Sequence, residues 1–120
     1  MSGKLTTHVL DTANGCPAAG MTITLWSVDC EAGTRALLKT VTTNADGRTD
    51  EPLLTDKVLE TGVYELVFEV GHYFQNKDPS LPQPLFLDTV PLRFGIADAG
   101  THYHVPLLTS PWSYSTYRGS

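Results

Sequence analysis

Alternation of apolar and polar residues with a period of two is the feature of this sequence that most constrains its fold. Apolar residues alternate with threonines in Met21–Leu25, and Glu65 and Glu69 share one face of Tyr64–Val70 while apolar and aromatic residues occupy the other. This period is typical of half-buried antiparallel strands. Val, Ile and Thr together supply 27 of the 120 residues, and such β-branched residues favour strands over helices.

Turn signals divide the chain into seven or eight short strands. An Asn-Gly pair at 14–15 and an Asp-Gly pair at 46–47 are typical of reversals, because glycine accepts a positive φ. Prolines between 79 and 84 predict a loop, and Pro111 ends the strand before it. The predicted strands cover 5–10, 21–28, 36–43, 63–70, 86–94, 101–108 and 112–118, with a short one near 49–54 and a brief helix at 71–77. We predict an all-β fold, a two-sheet β-sandwich forming a single domain over residues 1–120.

Composition and charge exclude several classes of function. Thirteen Asp and Glu outnumber eight Lys and Arg, which gives a net charge of −5 and disfavours nucleic-acid binding. The apolar runs fall short of the ~20 residues that a membrane helix needs. No secretory or peroxisomal signal is visible, so we expect a cytoplasmic protein. Cys16 and Cys30 are expected to be free, structural thiols.

The histidines are the candidate functional residues. His102 and His104 lie two apart on a predicted strand and therefore share one face. The other face carries the core candidates Tyr103, Val105 and Leu107. The histidine face continues through Pro106 and Leu108, which suits an interface or the wall of a pocket, although a solvated strand face fits the same pattern.

A metal site competes with this interpretation. The His-x-His pair with a distant third histidine resembles a three-histidine zinc site, but its neighbours include no carboxylate to orient the rings, and Asp98 is the nearest acid. The segment Asn44–Glu51 has a superficial likeness to a calcium loop. However, its glycine stands fourth rather than sixth, and Arg48 stands fifth. We therefore predict no metal and no cofactor.

Both ends of the chain and its central turn resemble one known family. The matching segments are Leu5–Thr12, Thr43–Arg48, Thr101–Leu108 and Ser115–Ser120. They resemble the 5-hydroxyisourate hydrolases, the enzyme branch of the transthyretin-related family, and the likeness covers essentially the whole chain. The terminal Tyr-Arg-Gly-Ser tetrapeptide is its most specific element.

The resemblance implies a transthyretin-like sandwich, with one short helix, that assembles into a homotetramer with substrate sites at the dimer–dimer interface. It also implies an activity, the hydrolytic opening of 5-hydroxyisourate to 2-oxo-4-hydroxy-4-carboxy-5-ureidoimidazoline in urate degradation. By motif, the implied catalytic residues are His8, Arg48 and His104. The implied substrate-binding residues are His8, Arg48, Tyr117, Arg118, Gly119 and Ser120.

The residue types suit this chemistry. A histidine can deprotonate the attacking water near neutral pH, and an arginine can stabilise the oxyanion that forms. We favour His104 as the base and His8 as the residue that positions substrate or water, but the sequence leaves this choice open. Two alternatives remain, a transthyretin-like small-molecule carrier without turnover and a zinc-dependent hydrolase that uses the histidines.

Overall fold

The computed structural model describes residues 3–55 and 57–119, and these form two β-sheets and one helix. In chain order the elements are β1 (Lys4–Asp11), β2 (Cys16–Pro17), β3 (Thr22–Asp29), β4 (Thr34–Thr42), β5 (Leu54–Thr55), β6 (Gly62–Phe68), α1 (Val70–Lys77), β7 (Val90–Ile96), β8 (Tyr103–Thr109) and β9 (Tyr114–Thr116). The five-stranded sheet has the order β2-β1-β8-β9, with β5 also paired to β1, and the four-stranded sheet has the order β4-β3-β6-β7.

One hydrophobic core lies between the inner faces of the two sheets. Ile23 and Leu25 of β3 and Leu66 and Phe68 of β6 are buried at every second position, and Leu107 of β8 joins them from the opposite sheet. Full burial of such a side chain contributes about 1.5–3 kcal/mol. The predicted all-β sandwich with one short helix is confirmed, and so is the alternation that predicted it.

Glu65 is more deeply buried than its position on the outer face of β6 predicts. It is only 7% exposed, and its carboxylate accepts hydrogen bonds from Arg35 Nη1 at 2.6 Å and Arg93 Nε at 3.0 Å. The Arg35 guanidinium also lies 3.9 Å from the centre of the Trp26 ring. Long side chains from the neighbouring strand β7 and from β4, which lies beyond β3, therefore cover this carboxylate. The period along β6 alone does not encode this arrangement.

Four features of the strands differ from the prediction. The strand expected over 86–94 begins only at Val90, because the Leu87 N–H bonds to the Pro111 carbonyl and the Asp88 carbonyl accepts from the Gly71 N–H. The strand expected near 49–54 is the two-residue β5, and the two-residue β2 lies where only a turn was expected. The pairing of β1 with β8 is parallel, whereas the other named pairings are antiparallel.

Cys16 and Cys30 are free, as expected, but they are half-buried and exposed rather than part of the core. In the ranges that the structure covers, no helix is long and apolar enough to cross a membrane.

A buried carboxylate ties α1 to the end of β1. Asp11 is 1% exposed, and its Oδ2 accepts hydrogen bonds from the Tyr73 hydroxyl at 2.9 Å and from Asn14 Nδ2 at 2.7 Å. Its Oδ1 accepts from the backbone N–H of Asn14 at 2.9 Å. Burial raises the pKa of Tyr73, and the hydrogen bond to Asp11 raises it further, so the phenol stays protonated and remains a donor.

Tyr73→Phe should lower the free energy of unfolding by about 1.5–3 kcal/mol, because it removes a hydrogen bond to a buried charged group. Urea denaturation at a fixed protein concentration measures this difference. Thr40→Val is the control, since it also removes one hydroxyl, from an exposed residue of β4, and should change stability by less than about 0.5 kcal/mol. Equal midpoints for the two variants would show that the link to Asp11 contributes no stability.

Candidate active site

The parallel pairing of β1 with β8 places both catalytic candidates of these strands on one surface. In this register Thr6 lies opposite His104, and His8 lies opposite Pro106. Because successive side chains of a strand point to opposite sides, Thr6, His8 and His104 share the outer face of the five-stranded sheet. Both histidines are half-buried there.

Arg48 reaches the same face through the turn formed by residues 44–48. Asn44 Oδ1 accepts a hydrogen bond from the Arg48 N–H at 3.1 Å, and the Asn44 N–H donates to the Arg48 carbonyl at 2.7 Å. Gly47 has a φ of 75° and lies so close to β1 that a Cβ would come 2.3 Å from the Val9 carbonyl oxygen. This close approach allows Arg48 to form a β-bridge with His8, which sets its exposed side chain beside the histidine.

The same turn holds the His8 ring. His8 Nε2 lies 2.9 Å from the carbonyl oxygen of Asp46. A carbonyl oxygen only accepts, so Nε2 carries the hydrogen and donates it. Neutral His8 therefore has its unprotonated nitrogen at Nδ1.

The His104 ring is held by β1 on one side and by the C-terminal tail on the other. Its Nδ1 lies 2.8 Å from Thr6 Oγ1. The Gly119 N–H donates to the His104 carbonyl at 2.7 Å, and a Cβ on Gly119 would lie 2.7 Å from His104 Cδ2. Within residues 3–55 and 57–119, no protein group forms a hydrogen bond with His104 Nε2, which leaves this nitrogen for water or substrate.

The environment of His104 keeps its ring neutral. Burial lowers the pKa of His104, and the positive charges of Arg48 and His8 lower it further. At pH 7 the imidazole is therefore unprotonated at one nitrogen and can accept a proton.

We expect His104 to titrate below the ordinary histidine pKa of about 6.5 in NMR spectra of its ring. Arg48→Gln should raise this pKa, whereas Lys39→Gln, which removes an exposed cation of β4, should leave it unchanged. The unfolded chain binds the proton at a higher pH than the folded chain does. The free energy of unfolding should therefore fall as the pH is lowered from the pKa of His104 in the unfolded chain towards its lower pKa in the folded chain. An unshifted pKa in Arg48→Gln would contradict the proximity of the guanidinium.

The other described tail residues of the predicted site, Tyr117 and Arg118, lie beside Tyr103 and the strands β7 and β9. The Arg118 guanidinium lies 4.2 Å from the centre of the Tyr103 ring, and its Nη2 donates to the His102 carbonyl at 3.4 Å. Tyr117 is 61% exposed and lines an apolar cavity of about 260 Å³ between β7 and β9. Ser120 lies outside the described residues. The predicted site residues that the structure gathers on one surface are His8, Arg48, His104 and Gly119.

Thr6 belongs to this surface although the sequence analysis did not single it out. Period-two alternation places it on the face of His8. Its contact with His104, however, joins positions 98 residues apart and depends on the register of a parallel strand pair. No local pattern in the sequence encodes that register.

Comparison with known proteins supports a specific family. The model of the HIUase/Transthyretin family matches residues 5–119. A Rhizobium meliloti protein named 5-hydroxyisourate hydrolase 2 is 60% identical over 119 residues, which are 99% of this chain and 98% of that relative. Solved structures of transthyretin-like proteins also resemble this chain.

The crystal structure of an (S)-allantoin synthase superposes with a TM-score of 0.91 at 50% identity, over 99% of this chain and 44% of that one. Sea bream transthyretin in complex with thyroxine superposes with a TM-score of 0.85 at 27% identity, over 97% of this chain and 94% of that one. The transthyretin-like form of the sandwich is therefore confirmed as well.

Proposed function

The chain belongs to the HIUase/Transthyretin family, and from that membership we propose that it opens the ring of 5-hydroxyisourate by hydrolysis. The reaction would be a step of urate degradation in the cytoplasm, and it would need no cofactor. The observation that carries the proposal is the grouping of His8, Arg48 and His104 on one face, because a base can activate the attacking water and a cation can stabilise the oxyanion of amide hydrolysis.

His104 is the general base in this proposal. Its Nε2 has no partner among the described residues, and burial and the nearby charges of Arg48 and His8 lower the pKa of His104, so its ring is neutral and able to accept a proton at pH 7. His8 is held through its Nε2–H by the Asp46 carbonyl, which suits a positioning role. Nε2 takes a proton from water as the water oxygen attacks the carbonyl carbon of the cyclic amide. When the carbon–nitrogen bond breaks, the same nitrogen returns the proton to the departing ring nitrogen. The new carboxyl group completes 2-oxo-4-hydroxy-4-carboxy-5-ureidoimidazoline, which in its acid form is the substrate plus one water.

Arg48 stabilises the charge that develops during this step. The turn of residues 44–48 fixes its backbone beside His8, so the guanidinium is carried on the face that holds both histidines. A cation near the carbonyl oxygen lowers the energy of the tetrahedral oxyanion. The planar fork of donors also suits paired hydrogen bonds to carbonyl and amide edges of a urate-like ring. In the same proposal, His8 positions substrate or water, and Gly119 completes the surface beside His104. The family resemblance adds Tyr117, Arg118 and Ser120 as further substrate-binding residues.

The surface of the chain favours self-association, and we extend the proposal to a homotetramer with sites at the dimer–dimer interface. Among the described strands, β7 and β9 end the strand orders of their sheets, and the apolar cavity lies between them. Phe86 is 76% exposed, and Trp112 and Tyr114 are exposed as well. Unpaired edges and exposed aromatic residues of this kind are usually covered by a partner.

Light scattering at micromolar concentration should give the mass of four chains, and a monomer would contradict this part of the proposal.

The decay of freshly generated 5-hydroxyisourate, followed by ultraviolet absorbance, tests the activity. We expect the protein to accelerate the decay well above the spontaneous rate, with water added to form the ureidoimidazoline product. A carrier would bind the compound without changing its rate of decay.

A chelator arm of the same assay tests the zinc-dependent alternative. Within the described residues, no three or more His, Cys, Asp or Glu are grouped to hold a metal ion, and Arg48 stands beside His8. The positive charge of a guanidinium beside a histidine repels a metal cation bound to that histidine. The rate should therefore be the same with and without chelator, and loss of activity on chelation would favour the zinc hydrolase.

A further inference from the structure

The contact between Thr6 and His104 bears on which nitrogen of the histidine carries its hydrogen. The two side chains meet at 2.8 Å, from Thr6 Oγ1 to His104 Nδ1, on strands that pair in register. A neutral imidazole has one N–H, and the nitrogen that bears it is set by the hydrogen bond that the ring makes. If Nδ1 carries the hydrogen, the open Nε2 is a base. If Nε2 carries it, the same nitrogen is only a donor.

We propose that Thr6 is a positioning residue that accepts a hydrogen bond from His104 Nδ1–H and thereby keeps Nε2 unprotonated and directed at the substrate. The inference rests on the proposed function, because it assigns a role in that reaction. The hydrogen bond from Nδ1 is the same before and after Nε2 takes a proton from water. The ring therefore does not have to turn or exchange tautomers during the reaction.

The strand pairing gives Thr6 a fixed place. The next residue, Thr7, is 2% exposed, and its hydroxyl donates to the Val105 carbonyl at 2.7 Å. Thr7 and Val105 are also partners in the β1–β8 register, one step along from Thr6 and His104. This buried side-chain bond holds the two strands in the one register that brings the Thr6 hydroxyl to Nδ1.

An uncharged partner matters for the base. A carboxylate at the position of Thr6 would also orient the ring, but its negative charge would favour the imidazolium. A hydroxyl accepts the same hydrogen bond without that charge, so the burial of His104 and the nearby Arg48 and His8 still favour the neutral ring. Thr6 therefore combines orientation of the ring with a base that is free to act at neutral pH.

The first test reads the tautomer directly. In wild-type protein without substrate, ¹⁵N NMR of the His104 ring distinguishes a protonated from an unprotonated nitrogen. We expect the hydrogen on Nδ1, and we expect Thr6→Val to give a mixture of the two tautomers. A wild-type spectrum with the hydrogen on Nε2 would overturn the proposal, because Thr6 would then donate its own hydroxyl hydrogen to Nδ1.

The second test is kinetic and uses two matched variants. Thr6→Val keeps the shape of the side chain without the hydroxyl, and kcat should fall about tenfold with KM little changed, the effect of one hydrogen bond of ordinary strength. Thr6→Ser restores the hydroxyl and should recover kcat to within a few-fold of wild type. Equal kcat values in wild type and Thr6→Val would overturn the role.

The two tests separate failure of this inference from failure of the proposed function. The tautomer measurement does not require turnover. The decisive spectrum is that of wild-type protein, so it does not depend on whether a variant folds. Absence of hydrolysis by wild-type protein would reject the proposed function while the spectrum still decided the state of the ring. Hydrolysis with the hydrogen on Nε2 would leave the function standing and reject the role of Thr6.

Discussion

We expect His104→Ala to lower kcat/KM for 5-hydroxyisourate by about 10²–10⁴-fold, the usual contribution of general acid–base catalysis. The variant loses the open Nε2 that takes the proton from water. Its fold should persist, because His104 is half-buried on the outer face of its sheet and does not belong to the core cluster. Thermal melting should accordingly move little, and the far-ultraviolet circular dichroism spectrum should match that of wild type.

His102→Ala provides the control for this variant. His102 is exposed and precedes His104 by two residues, so the two substitutions remove the same side chain from neighbouring positions. We expect His102→Ala to retain activity within a few-fold of wild type. If His104→Ala retained as much activity as the control, His104 would not be the base, and His8 would take its place in the mechanism.

The second large effect is expected on removal of the C-terminal tail. A chain that ends at Thr116 lacks the Gly119 N–H that bonds to the His104 carbonyl, as well as the close packing of Gly119 against the ring. We expect a loss of about 10²-fold or more in kcat/KM, since a displacement of about 1 Å at a reacting group has effects of this size. Chain ends usually tolerate trimming, so a severe loss would assign this end to the site.

Gly119→Ala separates the packing of the tail from its mere presence. A Cβ at this position would lie 2.7 Å from Cδ2 and 3.0 Å from Cβ of His104, so the ring or the tail must shift. At the control position Gly100, the nearest atom is the flexible Oδ1 of Asp98 at 3.2 Å. We expect Gly119→Ala to lose activity and Gly100→Ala to keep it. A truncated chain that turned over at nearly the wild-type rate would contradict the placement of the tail at the site.

Local sequence patterns predicted the strands where side-chain burial alone decides the structure. The alternation in Met21–Leu25 and the aromatic and aliphatic face of β6 gave strands close to their observed bounds. The strand expected over 86–94 starts late, at Val90, because backbone groups of residues 87 and 88 bond to distant segments. The local alternation of apolar and polar residues does not predict such contacts with distant segments.

The candidate site was predictable to a different extent for each of its residues. The Asp-Gly signal at 46–47 predicted the reversal that presents Arg48, and the His-x-His spacing predicted the face of His104. Only the family resemblance predicted that Arg48 and His104 lie close to His8. No local pattern could predict this grouping, because the pairing of β1 with β8 joins segments from opposite ends of the sequence. Thr6 was missed for the same reason, because its role depends on a partner 98 residues away.

The rate of decay of freshly generated 5-hydroxyisourate, measured at equal concentrations of wild type, His104→Ala and His102→Ala and without protein, shows whether hydrolysis depends on His104. We expect rapid decay with wild type and with His102→Ala. With His104→Ala we expect a rate close to the spontaneous one. Decay at the spontaneous rate in all four samples would show a protein without this activity, and equal acceleration by all three proteins would show a catalyst that does not use His104.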